Sequence, residues 1–191
     1  MFSRTPTPDT QSPNRARKPA WREHLESILL GVALALVIRA FVIQAYKIPS
    51  GSMQPTLLAG DRILVNKFIY RFRAPQRGDV IVFRYPEEPK REFIKRLAAV
   101  GGETVALHSG QLVVNGEVIA MPPFDRVTYE NRGQLSSPDM ALAVPPETYF
   151  VLGDNSTSSR DSRYWGFVPK KYLIGKALVI FWPIKRWQVV K

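Results

Sequence analysis

"SILLGVALALVIRAFVIQAYKIPSGSMQPTL", residues 27–57, joins the chain's one long apolar run to a polar turn carrying two serines. From Ser27 to Tyr46 the run has 20 residues, about 30 Å as a helix, which matches the hydrocarbon core of a bilayer. Arg39 and Gln44 interrupt its far end, where a long cationic side chain can snorkel to the interface. A buried core helix and a cleaved signal peptide are the rival readings. Against the second, no convincing small-x-small cleavage site follows the run. Arg4, Arg15, Arg17, Lys18 and Arg22 precede it, against Lys47, Arg62 and Lys67 shortly after, a bias that favours a cytoplasmic N-terminus. The expected organisation is a disordered cytoplasmic tail over 1–23, rich in Pro, Ser, Thr and Arg, then a transmembrane anchor helix over 24–46. A single extracytoplasmic domain over 47–191 would follow.

Past Pro49 the pattern is that of strands. "RILVNKFIY" (62–70), "DVIVFRY" (79–85) and "EFIKRLAAV" (92–100) are short runs of β-branched and aromatic residues bounded by Gly and Pro. "QLVVNGEVI" (111–119) holds Asn115-Gly116 between apolar runs, a strong hairpin signal. "TYFVLGD" (148–154) and "KALVIFW" (176–182) add two more. Residues 121–146 lack periodicity and predict a long surface excursion. The expected fold is mostly β, behind one N-terminal transmembrane helix.

Composition removes several chemistries. There is no cysteine, so disulfides, thiolate metal sites and thiol nucleophiles are excluded. Of the two histidines, His24 precedes the anchor and His108 sits in a turn-like "LHSGQ"; neither supports a Ser-His-Asp triad or a metal site. No metal and no cofactor are expected. Net charge is +11, which suits nucleic acid or an anionic lipid surface equally. The cations are scattered and no nucleic-acid motif is present, so lipid is the expected partner and nucleic acid is not.

Lysine offers a base. In "EFIKRL" the period of two places Lys95 on one strand face with Phe93 and Leu97, with Ile94 and Arg96 on the other. A lysine buried there loses basicity, and a neutral amine can take a serine proton. A snorkelling surface lysine fits the alternation too. Ser50 and Ser52 read equally as a turn at the helix exit. "GDNSTSSRDSRYWG" (153–166) reads as a polar loop or as a buried network in which Asp154 and Asp161 pair with Arg160 and Arg163.

Together these stretches resemble the type I signal peptidases, membrane-anchored Ser-Lys endopeptidases that remove signal peptides from exported proteins. The likeness is carried by "IPSGSMQPTLLAGDRILVNK" (48–67), "RGDVIVFRYP" (77–86), "FIKRLAAVGGETV" (93–105) and "LGDNSTSSRDSRYWGFVP" (152–169), in the family's order. The resemblance implies Ser52 as nucleophile, Lys95 as general base, and an oxyanion hole from the Ser52 N–H and the Ser50 hydroxyl. It implies that Ser159 orients the Lys95 amine and that Asp154, Asp161 and Arg163 keep their loop rigid. Ile48, Pro49, Met53, Leu57, Phe93 and Ile94 would line pockets for small residues in an Ala-x-Ala pattern. The implied substrate is the signal peptide of a preprotein, cut at a plasma (inner) membrane, with a thylakoid membrane as the alternative home. Two departures stand out: Ala99 and Gly101 replace the family's usual Gly and Pro, and Ser156 replaces an Arg for which Arg160 is the candidate stand-in. The competing reading is a membrane-anchored β module that binds lipid or an acidic partner without cutting.

Overall fold

The computed structural model describes residues 20–41, 43–133 and 140–191, so the expected disordered tail falls mostly outside the described residues. Contacts divide the chain between Val37 and Ile38 into two units. In the first, α1 (Ala20–Phe41) begins, and Leu25, Ile28, Leu29, Leu30, Val32, Leu34 and Leu36 on it are all exposed. Among the described residues, no helix is long and apolar enough to cross a membrane.

The expected anchor boundary needs correction. The helix stops at Phe41, and Ile43–Lys47 form strand β1. Arg39 and Gln44 break the apolar run, while the Ile43, Tyr46 and Ile48 side chains suit a half-buried sheet surface; Tyr46 packs against the same core cluster as Ile48. Residues counted as the far end of a span are thus the first strand of the β unit.

Among the described residues eleven further strands follow: β2 (Arg62–Asn66), β3 (Val80–Arg84), β4 (Glu92–Val100), β5 (Thr104–His108), β6 (Gln111–Val114), β7 (Glu117–Val118), β8 (Leu142–Ala143), β9 (Thr148–Leu152), β10 (Val168–Pro169), β11 (Leu173–Trp182) and β12 (Gln188–Val189). The larger sheet runs β1-β2-β11-β3-β4-β9-β10, with β12 paired to β11; the smaller runs β7-β6-β5-β8. Every pairing is antiparallel. The mostly-β expectation therefore holds. The Asn115-Gly116 hairpin forms as read, with both residues at positive φ, 53° and 82°, the signature of a two-residue hairpin turn. The strand expected over 62–70 stops at Asn66, because Asn66 Oδ1 accepts from the N–H of Phe68 (2.8 Å) and Ile69 (2.9 Å) and turns the chain into a 3-10 turn.

The excursion expected over 121–146 is only partly superficial. Phe124, Tyr129 and Val144 are buried in one cluster with Leu107, Leu112 and Phe150, and β8 pairs with β5. Aromatic residues spaced without a period gave no sign of this. Two further apolar clusters fill the larger sheet's packing, one under β2 and β11, the other between β3, β4 and β9.

Candidate active site

Three pieces of chain converge at Ser52: the turn after β1, strand β4, and the loop 153–163 that follows β9. The turn is fixed by hydrogen bonds from Gln54 N to Gly51 O (3.1 Å) and from Leu57 N to Met53 O (2.8 Å). Met53 and Leu57 are fully buried beneath it, so apolar burial clamps the backbone on both sides of the serine. The loop grips from the other side. Asn155 donates from its backbone to Ser52 O and from Nδ2 to Gly51 O, each at 3.1 Å. Gly153 is needed at this contact: a Cβ there would lie 2.1 Å from Ser159 Oγ and 2.5 Å from Ser52 O.

β4 delivers Lys95. Its Nζ lies 2.7 Å from Ser52 Oγ, within hydrogen-bonding distance, and 3.1 Å from the Ile94 carbonyl. The residue is 4% exposed, and no ion pair to a carboxylate forms there among the described residues. Burial pushes its pKa down to about 8; the fields of Asp161 and Asp154 oppose the shift and that of Arg163 adds to it. Holding a lysine this far below its usual value costs about 3 kcal/mol at neutral pH. The snorkelling reading of Lys95 is excluded by its burial, and Ser52, 7% exposed, is held within reach of an amine that is half neutral near pH 8.

Ser50 is exposed, and its Oγ reaches to 3.4 Å from Ser52 Oγ. The Ser52 N–H donates to no group among the described residues. Ser159 is buried, yet its Oγ has no hydrogen-bond partner among the described residues; the hydrogen bond expected from it to the Lys95 amine is not formed here. Ile48, Met53 and Leu57 share one apolar cluster, with Ile94 packed against it. Phe93 joins the neighbouring cluster and stacks on Tyr85 at 4.4 Å, and Pro49 is exposed. His108 is exposed at the end of β5, in the smaller sheet.

The loop 153–163 is a buried ionic network, but its pairing differs from the expected one. Arg163 and Asp161 are both fully buried and joined by Nε–Oδ1 (2.8 Å) and Nη2–Oδ2 (2.9 Å) bonds. Asp161 also accepts from Gly153 N at 2.9 Å. Asp154 pairs not with Arg160 but with Arg96, through two bonds of 2.7 Å. Arg160 is exposed and meets Glu87 instead. Nor does Arg160 stand in at Ser156, whose Oγ accepts from Arg163 Nη1 and from Glu130 N, each at 2.8 Å. The other departure has a packing reason. A Cβ on Gly101 would sit 2.8 Å from Pro145 O and 2.9 Å from Glu147 N.

Arg96 and Thr56 were missed from sequence. Thr56 donates to Asp154 at 2.5 Å, and Arg96 also donates to the carbonyls of Gly78 (2.6 Å) and Lys191 (2.9 Å). A signal existed: Arg96 falls on the face opposite Lys95 in an otherwise apolar strand, which demands a buried anionic partner.

Comparison with known proteins supplies the family. The family model "Signal peptidase, peptidase S26" covers residues 21–182. The chain belongs to that family. It is 41% identical to signal peptidase I of Leptolyngbya laminosa over 96% of this chain and 93% of that one. With signal peptidase I of Pseudomonas aeruginosa the identity is 36% over 87% of this chain and 75% of the other. With that of Aquifex aeolicus it is 34%, over 84% of each. A solved signal peptidase I from Enterococcus faecalis is 32% identical and covers 55% of this chain and 97% of its own, with a TM-score of 0.45.

Proposed function

We propose that this chain is a serine endopeptidase that cleaves N-terminal signal peptides from exported preproteins, with Ser52 as nucleophile and Lys95 as general base. The observation that carries the reading is the 2.7 Å contact between the two side chains, one of them a buried amine with pKa about 8. The neutral amine takes the Ser52 proton as Oγ attacks the scissile carbonyl. The oxyanion forms against the Ser52 N–H and the Ser50 hydroxyl, donors of a kind commonly worth about 3 kcal/mol each in the transition state. Collapse breaks the peptide bond and leaves the signal peptide as an acyl ester on Ser52, while the mature chain departs with the proton held by Lys95. Lys95 then deprotonates water, which releases the signal peptide. Asp154, Asp161 and Arg163 hold the loop that grips Ser52, with Ser159 packed against Gly153 in that loop.

Cleavage follows small residues in an Ala-x-Ala pattern, received by apolar surface from Pro49, Phe93 and Ile94, with the buried Ile48, Met53 and Leu57 forming the cluster that Ile94 packs against. The apolar side chains along α1 stand open to their surroundings, a display suited to lipid, and basic residues precede them. The run anchors the chain in a plasma (inner) membrane, or a thylakoid one, with its N-terminus cytoplasmic and its β domain on the far side. Anchoring raises the local concentration of enzyme where a membrane-borne substrate is presented.

The test is cleavage of a model preprotein by the detergent-solubilised chain beside Ser52→Ala and Lys95→Met. Cleavage at a small-x-small site, abolished in both variants, is expected. Cleavage that survives Lys95→Met would remove the lysine base, and no cleavage by the folded parent chain would favour the binding module.

A further inference from the structure

The segment "KFIYRFRAPQR" (67–77) carries four cations and three aromatic residues without a single carboxylate, and the catalytic site uses none of it. Its fold is firmly set from below. After the Asn66 cap, Arg71 N donates to Phe68 O at 3.0 Å and Phe72 N to Ile69 O at 3.1 Å. Tyr70 and Arg73 are tied to the carboxylate of Asp79, which also takes Lys176.

On this fixed base the tip displays apolar and cationic groups outward. Phe72 is 78% exposed, the most open large apolar side chain among the described residues. Phe68 meets it edge-on at 5.0 Å, and the Arg71 guanidinium lies 4.8 Å from the Phe68 ring. Beside them runs a groove of about 330 Å³ lined by Lys67, Tyr70, Arg71, Tyr149 and Lys170, of which Lys170 is paired with Glu147. A rigid aromatic tip ringed by cations fits an interface where rings sit among headgroups and cations meet phosphates.

Strand register places this loop at a particular end of the sheet. β1, which the apolar run feeds directly, starts with Ile43 opposite Asn66 and ends with Lys47 opposite Arg62. The loop leaves β2 at Asn66, so it stands at the end of β1 where the chain enters the domain. The other exposed aromatic segment, around Trp182 and Ile184, lies at the Arg62 end, about 13 Å further along the strands.

We propose that residues 67–77 dock the β domain onto an anionic lipid bilayer, with Phe72 entering the interface and Lys67 and Arg71 contacting headgroup phosphates. The proposal rests on the reading that the apolar run anchors the chain. Its consequence is orientation: a second contact beyond the anchor restricts how the domain turns above the membrane.

Because the chain has no cysteine, Phe72→Cys and Val118→Cys each accept a single nitroxide label. Val118, 50% exposed in the smaller sheet, serves as the reference site. The full-length labelled chain is reconstituted into phosphatidylcholine vesicles with or without phosphatidylglycerol, floated, and probed with a water-soluble paramagnetic relaxant. The expected result is flotation with the vesicles and shielding at residue 72, but not at 118, that deepens with the anionic lipid. Adding Arg71→Glu should weaken the lipid-dependent shielding by about fivefold or more, the effect of one surface cation or greater, while peptide cleavage in detergent is unchanged. Flotation with residue 72 as accessible as 118 overturns the docking and leaves the anchor standing. Failure to float overturns the anchor and the docking together. Equal shielding in detergent without vesicles would assign the surface to a protein contact and overturn the lipid.

Discussion

Lys95 and Arg96 are neighbours on one strand, both buried, and they meet opposite fates. Arg96 turns to the face where Asp154 waits, makes a bidentate pair, and spends its remaining donors on Thr56 and two carbonyls. Lys95 turns to the other face, where among the described residues its amine meets a hydroxyl and a carbonyl oxygen. A guanidinium with every donor satisfied keeps its charge in a low-dielectric interior. An ammonium given burial without a carboxylate partner is driven toward the neutral form. The same strand thus carries a structural cation and a candidate base, and what separates them is the partner each face supplies.

Breaking the base side should give the largest effect. Lys95→Arg keeps a cation next to Ser52 but removes any group that can deprotonate, so cleavage should fall by about 10⁴-fold, measured as kcat/KM on a signal-peptide substrate. On the other face, Arg96→Met strands the Asp154 carboxylate in the interior. It should cost roughly 3–5 kcal/mol in denaturant unfolding, with part of that recovered in the double variant Arg96→Met/Asp154→Leu.

The smallest effect sharpens the comparison by sign. Lys95 binds its proton less tightly folded (about 8) than unfolded (10.5), so the unfolded chain holds more protons in that window and stability rises with pH across it. Below pH 8 the penalty is fully present. Lys95→Met should therefore be more stable than the parent by up to about 3 kcal/mol near pH 7, before the lost Ser52 hydrogen bond is subtracted, and the gain should fade as pH rises from 8 to 10.5. A variant that loses stability at pH 7 would show that Lys95 is not held under strain. In the parent, kcat/KM should rise through about pH 8 as the amine deprotonates.

Much of the site was legible because it is local. The Ser50-Gly51-Ser52 turn, the alternation around Lys95 and the Asp161–Arg163 pair lie within a few residues of chain, where spacing fixes neighbours. The Arg96–Asp154 pair spans 58 residues, and nothing in either segment alone says that β4 and β9 are adjacent. Arg160 was misassigned for the converse reason: nearness along the chain suggested a pairing, but its side chain points to solvent and Glu87. The helix end failed as a boundary because an apolar strand and the last turns of an apolar helix share a composition, and pairing with β2 decides for the strand.

By itself the sequence determined the chemistry on offer. The lack of cysteine and two poorly placed histidines narrowed it, the resemblance carried by four motifs in order implied a serine and a lysine as the reactive pair, and alternation set Lys95 and Arg96 on opposite faces. Only the tertiary structure decided what those faces meet. Basicity is set by burial and by the atoms within a few ångströms, which come from segments far apart in the chain. The serine and the lysine can be read one at a time; the 2.7 Å between them exists only once β4 packs against the turn after β1.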